Sequence, residues 1–213
     1  MTPDLDVLAD RAAGLLRDGD GSRAVLGVVG CPGSGKSTFV DRLVMALTDR
    51  LDGTRNAVAH VPMDGFHLAD RALDRLGLRH RKGAPETFDA AGYAALLRRV
   101  RTETATVYAP AFERDLEQPL AGAIAVPPEA RLVVTEGNYL LLDGPWAEVR
   151  GLLSEVWFVQ VDEQTRVRRL VARHEQFGKS HDGAVDWVRT VDQPNADLVA
   201  PTAALADLVV ELG

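Results

Sequence analysis

Gly30-Cys31-Pro32-Gly33-Ser34-Gly35-Lys36-Ser37 reads G-x-x-x-x-G-K-S, the pattern of a phosphate-cradling P-loop. The residues before it, Ala24 to Val29 (AVLGVV), form an apolar, β-branched run of strand length. Those after it place Phe39, Leu43 and Leu47 at helical spacing over 38–47. The motif therefore sits between a buried strand and a helix N-terminus, where backbone amides, the helix dipole and the Lys36 ammonium favour a polyphosphate. The residues expected to hold a nucleoside triphosphate are Gly30, Gly33, Ser34, Gly35, Lys36, Ser37 and Thr38. The Ser37 hydroxyl is placed to ligate Mg²⁺.

The chain has 213 residues and is 46% hydrophobic, enough for one α/β domain with a proper core. Its net charge of −7 disfavours nucleic acid and acidic membranes as partners, so an anionic substrate must be drawn by a local basic patch. Cys31 is the only cysteine, which excludes an internal disulfide and a cysteine-based zinc site and fits a reducing cytoplasm. Its place near a helix N-terminus leads us to expect a lowered thiol pKa. The acidic start MTPDLDVLAD lacks a signal core, and no apolar run reaches membrane-spanning length.

Working outward, residues 3–17 read as an amphipathic helix lined by Leu5, Leu8, Ala12 and Leu15, with DGDGS (18–22) as a turn and LDGTRN (51–56) as a loop. Strands are expected at 24–29, 58–62, 131–135, 155–161 and 207–212, with helices between most of them. That order implies a mostly parallel five-stranded sheet covered on both faces, a three-layer sandwich. The strand 58–62 ends at Asp64-Gly65-Phe66-His67. Asp-Gly is common as a plain turn, but an acid beyond the carboxyl end of a strand beside a P-loop lies where ligands bind in open parallel sheets. Asp64 is the candidate to orient or deprotonate an attacking hydroxyl, with His67 as a substrate contact or helix cap. The strand 131–135 ends at Glu136, the candidate partner of Ser37 for Mg²⁺.

Residues 78–128 read as an insertion that covers the site. Its basic segment 79–86 contains Arg81 and Lys82, either a solvated loop or an anion clamp. Within it, TVYAPAF (106–112) and the following Arg114 offer Tyr108, Phe112 and Arg114 as acceptor-pocket walls, or aromatics that only seal a hairpin. After Asp162 a helix carries Arg166, Arg169 and Arg173 on one face. These arginines are either neutralised by nearby acids or belong to a lid over 162–181 that stabilises charge in transfer. A further helix is expected over 184–192, broken by Gln193-Pro194-Asn195.

The segments GCPGSGKS (30–37), MDGFH (63–67), RKGAPETFD (81–89), VYAPAFERD (107–115), TEGNYLL (135–141) and RRLVARH (168–174) occur in an order that resembles the uridine kinase, phosphoribulokinase and bacterial pantothenate kinase superfamily. Within it the chain looks nearest to a bacterial subgroup labelled nucleoside/nucleotide kinase-like or fructose-transport kinase. The resemblance implies ATP, Mg²⁺ and transfer of the γ-phosphoryl group to a hydroxyl of a small metabolite. It matches Asp64 to the family's catalytic acid and Glu136 to the acid of its EG strand end. It places Arg169 and Arg173 in the lid, and suggests a homodimer. A pantothenate kinase-like enzyme and a nucleotide-sensing module without turnover are the competing readings. The guanine-reading Asn-Lys-x-Asp of GTPases and the Ser-Gly-Gly-Gln signature of transporter ATPases are both absent.

Overall fold

The computed structural model describes residues 4–17, 23–51 and 56–213. The expected turn at 18–22, Pro3 and most of the loop at 51–56 lie outside these residues.

The apolar run at Ala24–Val29 forms β1, every residue of which is buried. Both its neighbours are parallel: β5 (Leu132–Gly137) on one side and β6 (Glu155–Gln160) on the other. The sheet is completed by β2 (Val58–Pro62) outside β5 and β7 (Leu208–Glu211) outside β6, giving the order β2-β5-β1-β6-β7. Strands buried on both faces need near-continuous apolar sequence, and β1 and β5 supply it.

Alternation along β1 splits the core in two. Leu26 and Val28 face α1 (Leu5–Gly14) and α2 (Lys36–Arg50), where Leu8, Phe39, Leu43 and Leu47 close over Trp157 and Val134. Val25 and Val29 face the opposite layer, in which Tyr93, Leu97 and Val100 of α4 (Ala90–Thr102) pack with Trp146 and Val149. Asp4 and Asp89 cap α1 and α4 through their carboxylates, which accept amide hydrogens that these helices leave unpaired. Α buried hydrogen-bond chain joins the layers. Tyr93 Oη donates to Thr135 Oγ1 at 2.6 Å, whose own proton goes to the Val61 carbonyl at 2.5 Å. It ties α4 to the carboxyl ends of β5 and β2 together.

The short α3 (Asp70–Leu76) follows β2, and an antiparallel hairpin, β3 (Val107–Glu113) with β4 (Gln118–Val126), stands apart from the main sheet. Within residues 78–128, α4 belongs to the core layer, and the hairpin lies against the turn after β2. The short α5 (Ala147–Arg150) precedes β6, and α6 (Glu163–Gln176) follows it, capped by Asp162.

The expected break at Gln193-Pro194-Asn195 does not occur. The chain runs helically from α7 (His181–Trp187) through a π turn at Val188–Asp192 into α8 (Gln193–Val199). The π turn restarts the hydrogen-bond ladder, so Pro194 falls in the first turn of α8, where its missing N–H is not needed. No helix among the described residues is long and apolar enough to cross a membrane.

Leu43 is fully buried on α2 and carries the contact between that helix and the sheet. Leu43→Ala is expected to cost about 2–5 kcal/mol of unfolding free energy, as deletion of a packed leucine does. Urea denaturation measures it, and a loss below about 1 kcal/mol would show that the layer collapses around the gap.

Candidate active site

The P-loop takes its shape from two left-handed glycines, Gly33 (φ 79°) and Gly35 (φ 87°). A Cβ on Gly33 would lie 2.7 Å from Leu170 Cγ and 2.9 Å from the Arg166 carbonyl, so the loop rests directly on α6. Gly35 is the N-cap of α2 and has no side chain to satisfy the helix's first amides, which leaves them for an anion. Arg166 is buried and holds the arrangement from behind. It donates to the Gln193 side chain and, at 3.4 Å, to the Pro32 carbonyl. Arg166 is thus a structural strut, unlike Arg169 and Arg173.

In front of the loop, a cavity of about 460 Å³ is lined by Lys36, Ser37, Asp64, His67, Phe112 and Arg114, among others. Lys82, Asn138 and Arg173 also reach it. Ser37 Oγ donates to Glu136 Oε1 at 2.9 Å, joining the start of α2 to the end of β5. Glu136 is buried, and burial pushes its carboxyl up despite the opposing pull of the Lys36 ammonium. Asp64 Oδ2 lies 3.6 Å from Arg114 Nη2. A hydroxyl and carboxylates at this edge are hard oxygen donors that suit Mg²⁺, and they are few. No cluster of three or more metal-binding His, Cys, Asp or Glu side chains occurs among the described residues. That sparse donor set fits an ion held largely by substrate phosphates and water.

On the acceptor side, His67 is packed between Phe88 and Phe112, with ring centroids 3.9 and 4.6 Å away, and its Nδ1 is 2.8 Å from the Asp64 carbonyl. Burial holds its imidazolium pKa down. Lys82 bridges Asp70 Oδ1 at 2.7 Å and the Glu117 carbonyl, which anchors the basic segment to the hairpin. Arg169 reaches the Ser34 carbonyl at 3.5 Å, beside the loop, and Thr38 is exposed on the first turn of α2.

Two expected pocket residues lie elsewhere. Arg81 points outward and pairs with Glu86 at 2.9 Å, because the 3₁₀ turn at Arg79–Arg81 directs adjacent side chains to different sides. Tyr108 is 60% exposed, because the hairpin register shifts between Ala109 and Ala111 and strict alternation does not carry from Tyr108 to Phe112. Cys31 also departs from expectation. Burial raises its thiol pKa more than Arg166 and Lys36 lower it, and Sγ faces the Ala196 carbonyl at 3.7 Å. It lines a separate cavity of about 410 Å³ behind the loop.

Three cavity residues stand outside the expected site set. His174, quoted above only as the end of RRLVARH, makes an Nε2···Oδ2 contact of 2.7 Å with Asp192 that joins α6 to the π turn at the cavity wall. Asn195, expected only to help break a helix, reaches the Gly83 carbonyl with its amide at 3.5 Å.

Residues 25–213 match the model of the phosphoribulokinase/uridine kinase family. The chain belongs to that family. A Schizosaccharomyces pombe protein named "putative uridine kinase" is 32% identical over 97% of this chain and 89% of its own. The pantothenate kinase of Streptomyces coelicolor is 32% identical over 91% of this chain and 67% of its own. The crystal structure of a "putative fructose transport system kinase" from Silicibacter sp. TM1040 superposes with a TM-score of 0.88 at 36% identity, covering 97% of this chain and 98% of that one. The family assigns this chain the fold of a P-loop kinase and the class of a phosphotransferase.

The half-buried His67 gives the site a pH signature. Its folded pKa lies below the unfolded value of about 6.5, so below that pH the unfolded chain binds a proton that the folded chain resists. Stability therefore falls as the solution is acidified from pH 7 to 5. His67→Gln is expected to flatten this slope without abolishing it, because burial also depresses His60. Thermal unfolding at the two pH values measures it. An equal loss of Tm in both proteins would show that His67 titrates alike in the two states.

Proposed function

We propose that this chain is an Mg²⁺- and ATP-dependent kinase that transfers the γ-phosphoryl group to a hydroxyl of a small metabolite of the nucleoside, sugar or hydroxy-acid type. The observation that carries the reading is that Lys36 and Ser37 of the P-loop line one cavity together with Asp64, His67, Phe112 and Arg114. A phosphate binder and a candidate general base thus border one space that admits a small organic molecule.

In this reading the glycine-shaped loop and Lys36 hold the β- and γ-phosphates. Ser37 and Glu136 would hold Mg²⁺, which when bound would offset negative charge on the phosphates. Asp64 orients the acceptor hydroxyl and takes its proton, and Arg114 beside it keeps the carboxylate in place. Arg173 reaches the cavity from α6 to meet charge that develops on the phosphoryl oxygens, and Arg169 flanks the loop. Phosphoryl transfer of this kind is mainly positioning and electrostatics. The names of two relatives, a uridine kinase and a pantothenate kinase, support the reaction class and leave the acceptor open. A homodimer in the cytoplasm remains part of the proposal.

ADP release from Mg·ATP is to be measured with uridine, pantothenate, D-glycerate, D-fructose and ribulose 5-phosphate. One acceptor is expected to raise the rate well above the water background. Asp64→Asn should then lower kcat by about 10²–10⁴-fold, the range for a positioned general base, with ATP affinity unchanged. ATP binding with no acceptor-dependent ADP release would favour a nucleotide sensor, and full turnover in the variant would remove Asp64 from the role.

A further inference from the structure

Lys36, Arg79, Lys82, Arg114, Arg173 and Lys179 line the cavity in front of the P-loop, a local concentration of positive charge in a chain of net charge −7. Their partners divide them. Arg79 and Lys82 both pair with Asp70, at 3.0 and 2.7 Å. Lys179 Nζ lies over the Trp187 ring, 4.2 Å from its centre. Lys36 and Arg173 serve the phosphates in the kinase reading. Arg114 remains. Among the described residues its guanidinium has no hydrogen-bond partner, and the carboxylate beside it, Asp64, is 3.6 Å away, beyond hydrogen-bond length. Elsewhere in this chain an arginine that serves a carboxylate closes on it with both arms of its fork. Arg98 holds Glu148 at 2.9 and 3.0 Å, and Arg99 holds Glu103 at 2.7 and 3.2 Å. The place of Arg114 is set by the backbone. It follows β3, whose Pro110 carbonyl presses on Gly65, the neighbour of Asp64, so closely that a Cβ there would lie 2.2 Å from the oxygen. The hairpin is thus seated on the turn that carries the candidate base. The Arg114 side chain is 48% exposed, so a molecule in the cavity can reach its N–H groups.

We propose that Arg114 is a specificity-determining residue whose guanidinium binds an oxyanion, carboxylate or phosphate, carried by the acceptor molecule in addition to the hydroxyl that Asp64 takes. This rests on the kinase reading of the same cavity. A planar fork of N–H donors matches either oxyanion, and its hydrogen bonds to an anion are strong ones. The acceptor class is then a hydroxy acid or a phosphorylated sugar, ahead of neutral nucleosides and free sugars. A neutral acceptor that covers the arginine leaves the fork unpaired, the situation in which sites built for a polar contact discriminate most strongly.

The test uses binding, so that it does not depend on turnover. Pairs of compounds alike except for the anionic group are titrated into the full chain with Mg²⁺ and a non-hydrolysable ATP analogue. The pairs are D-glycerate with glycerol, pantothenate with pantothenyl alcohol, and ribulose 5-phosphate with ribulose. Carboxylate is varied in the first two and phosphate in the third, so the pair that responds names the oxyanion. In one pair the anion is expected to bind about 10- to 100-fold tighter than its neutral partner, and Arg114→Gln should remove that preference. Arg114→Lys keeps the charge without the fork and should retain part of it, which reads the same ratio if the glutamine variant does not fold. Equal losses for both members of the pair, with their ratio unchanged, would mean that Arg114 only steadies Asp64 and would overturn the proposal. Neutral partners that bind as tightly as the anions would overturn it too, as would failure of all three anions to bind the wild type. Binding of an anion with no ADP release when ATP replaces the analogue would strike instead at the kinase reading.

Discussion

The register of three parallel strands sets the geometry of this protein. Glu136 on β5 pairs with Val28 on β1 and with Pro62 on β2. On the other two strands the functional group follows two residues beyond that level: the P-loop from Gly30 after Val28, and Asp64 after Pro62. The phosphate cradle, the buried carboxylate and the candidate base are therefore fixed side by side by backbone hydrogen bonds, with little left to side-chain choice. A slip of one residue would turn Glu136 to the opposite face of β5 and break its bond to Ser37. The Tyr93–Thr135–Val61 chain reinforces this register at the edge where it matters, because it bonds the last turns of β5 and β2 directly.

Electrostatics follow from that placement. Burying Glu136 is unfavourable for its charged form, and the Lys36 ammonium and Ser37 hydroxyl offset only part of the cost. A divalent cation bound there would relieve what remains, so the site is poorly satisfied alone and better satisfied when loaded. The acceptor side differs. Lys82 and Arg79 are already engaged with Asp70, whereas Arg114 has only a long contact to Asp64. The basic segment thus builds the wall, and the arginine after the hairpin strand remains available to a ligand.

Much of this was legible in the sequence because it rests on local rules. A glycine-rich turn between an apolar strand and a helix, and acids that end apolar strands, are patterns of spacing and composition. All five strands of the sheet were placed within a residue or two for the same reason. What escaped reading depends on tertiary context. Tyr108 leaves the pocket because the hairpin shifts register, which no alternation pattern predicts. Arg166 reads like its neighbours on α6 but is buried against the P-loop, and only packing separates them.

The π turn at Val188–Asp192 has a consequence for how this chain can vary. It holds one more residue than an α-helical turn would, and residues beyond it are rotated accordingly. Deleting a single residue there would remove the restart of the ladder, leave Pro194 inside a continuous helix and swing everything downstream by roughly 100° about the axis. Asn195 would leave the Gly83 carbonyl, and Gln193 would leave Arg166. The count of residues between Trp187 and Gln193 is thus as constrained as their identity.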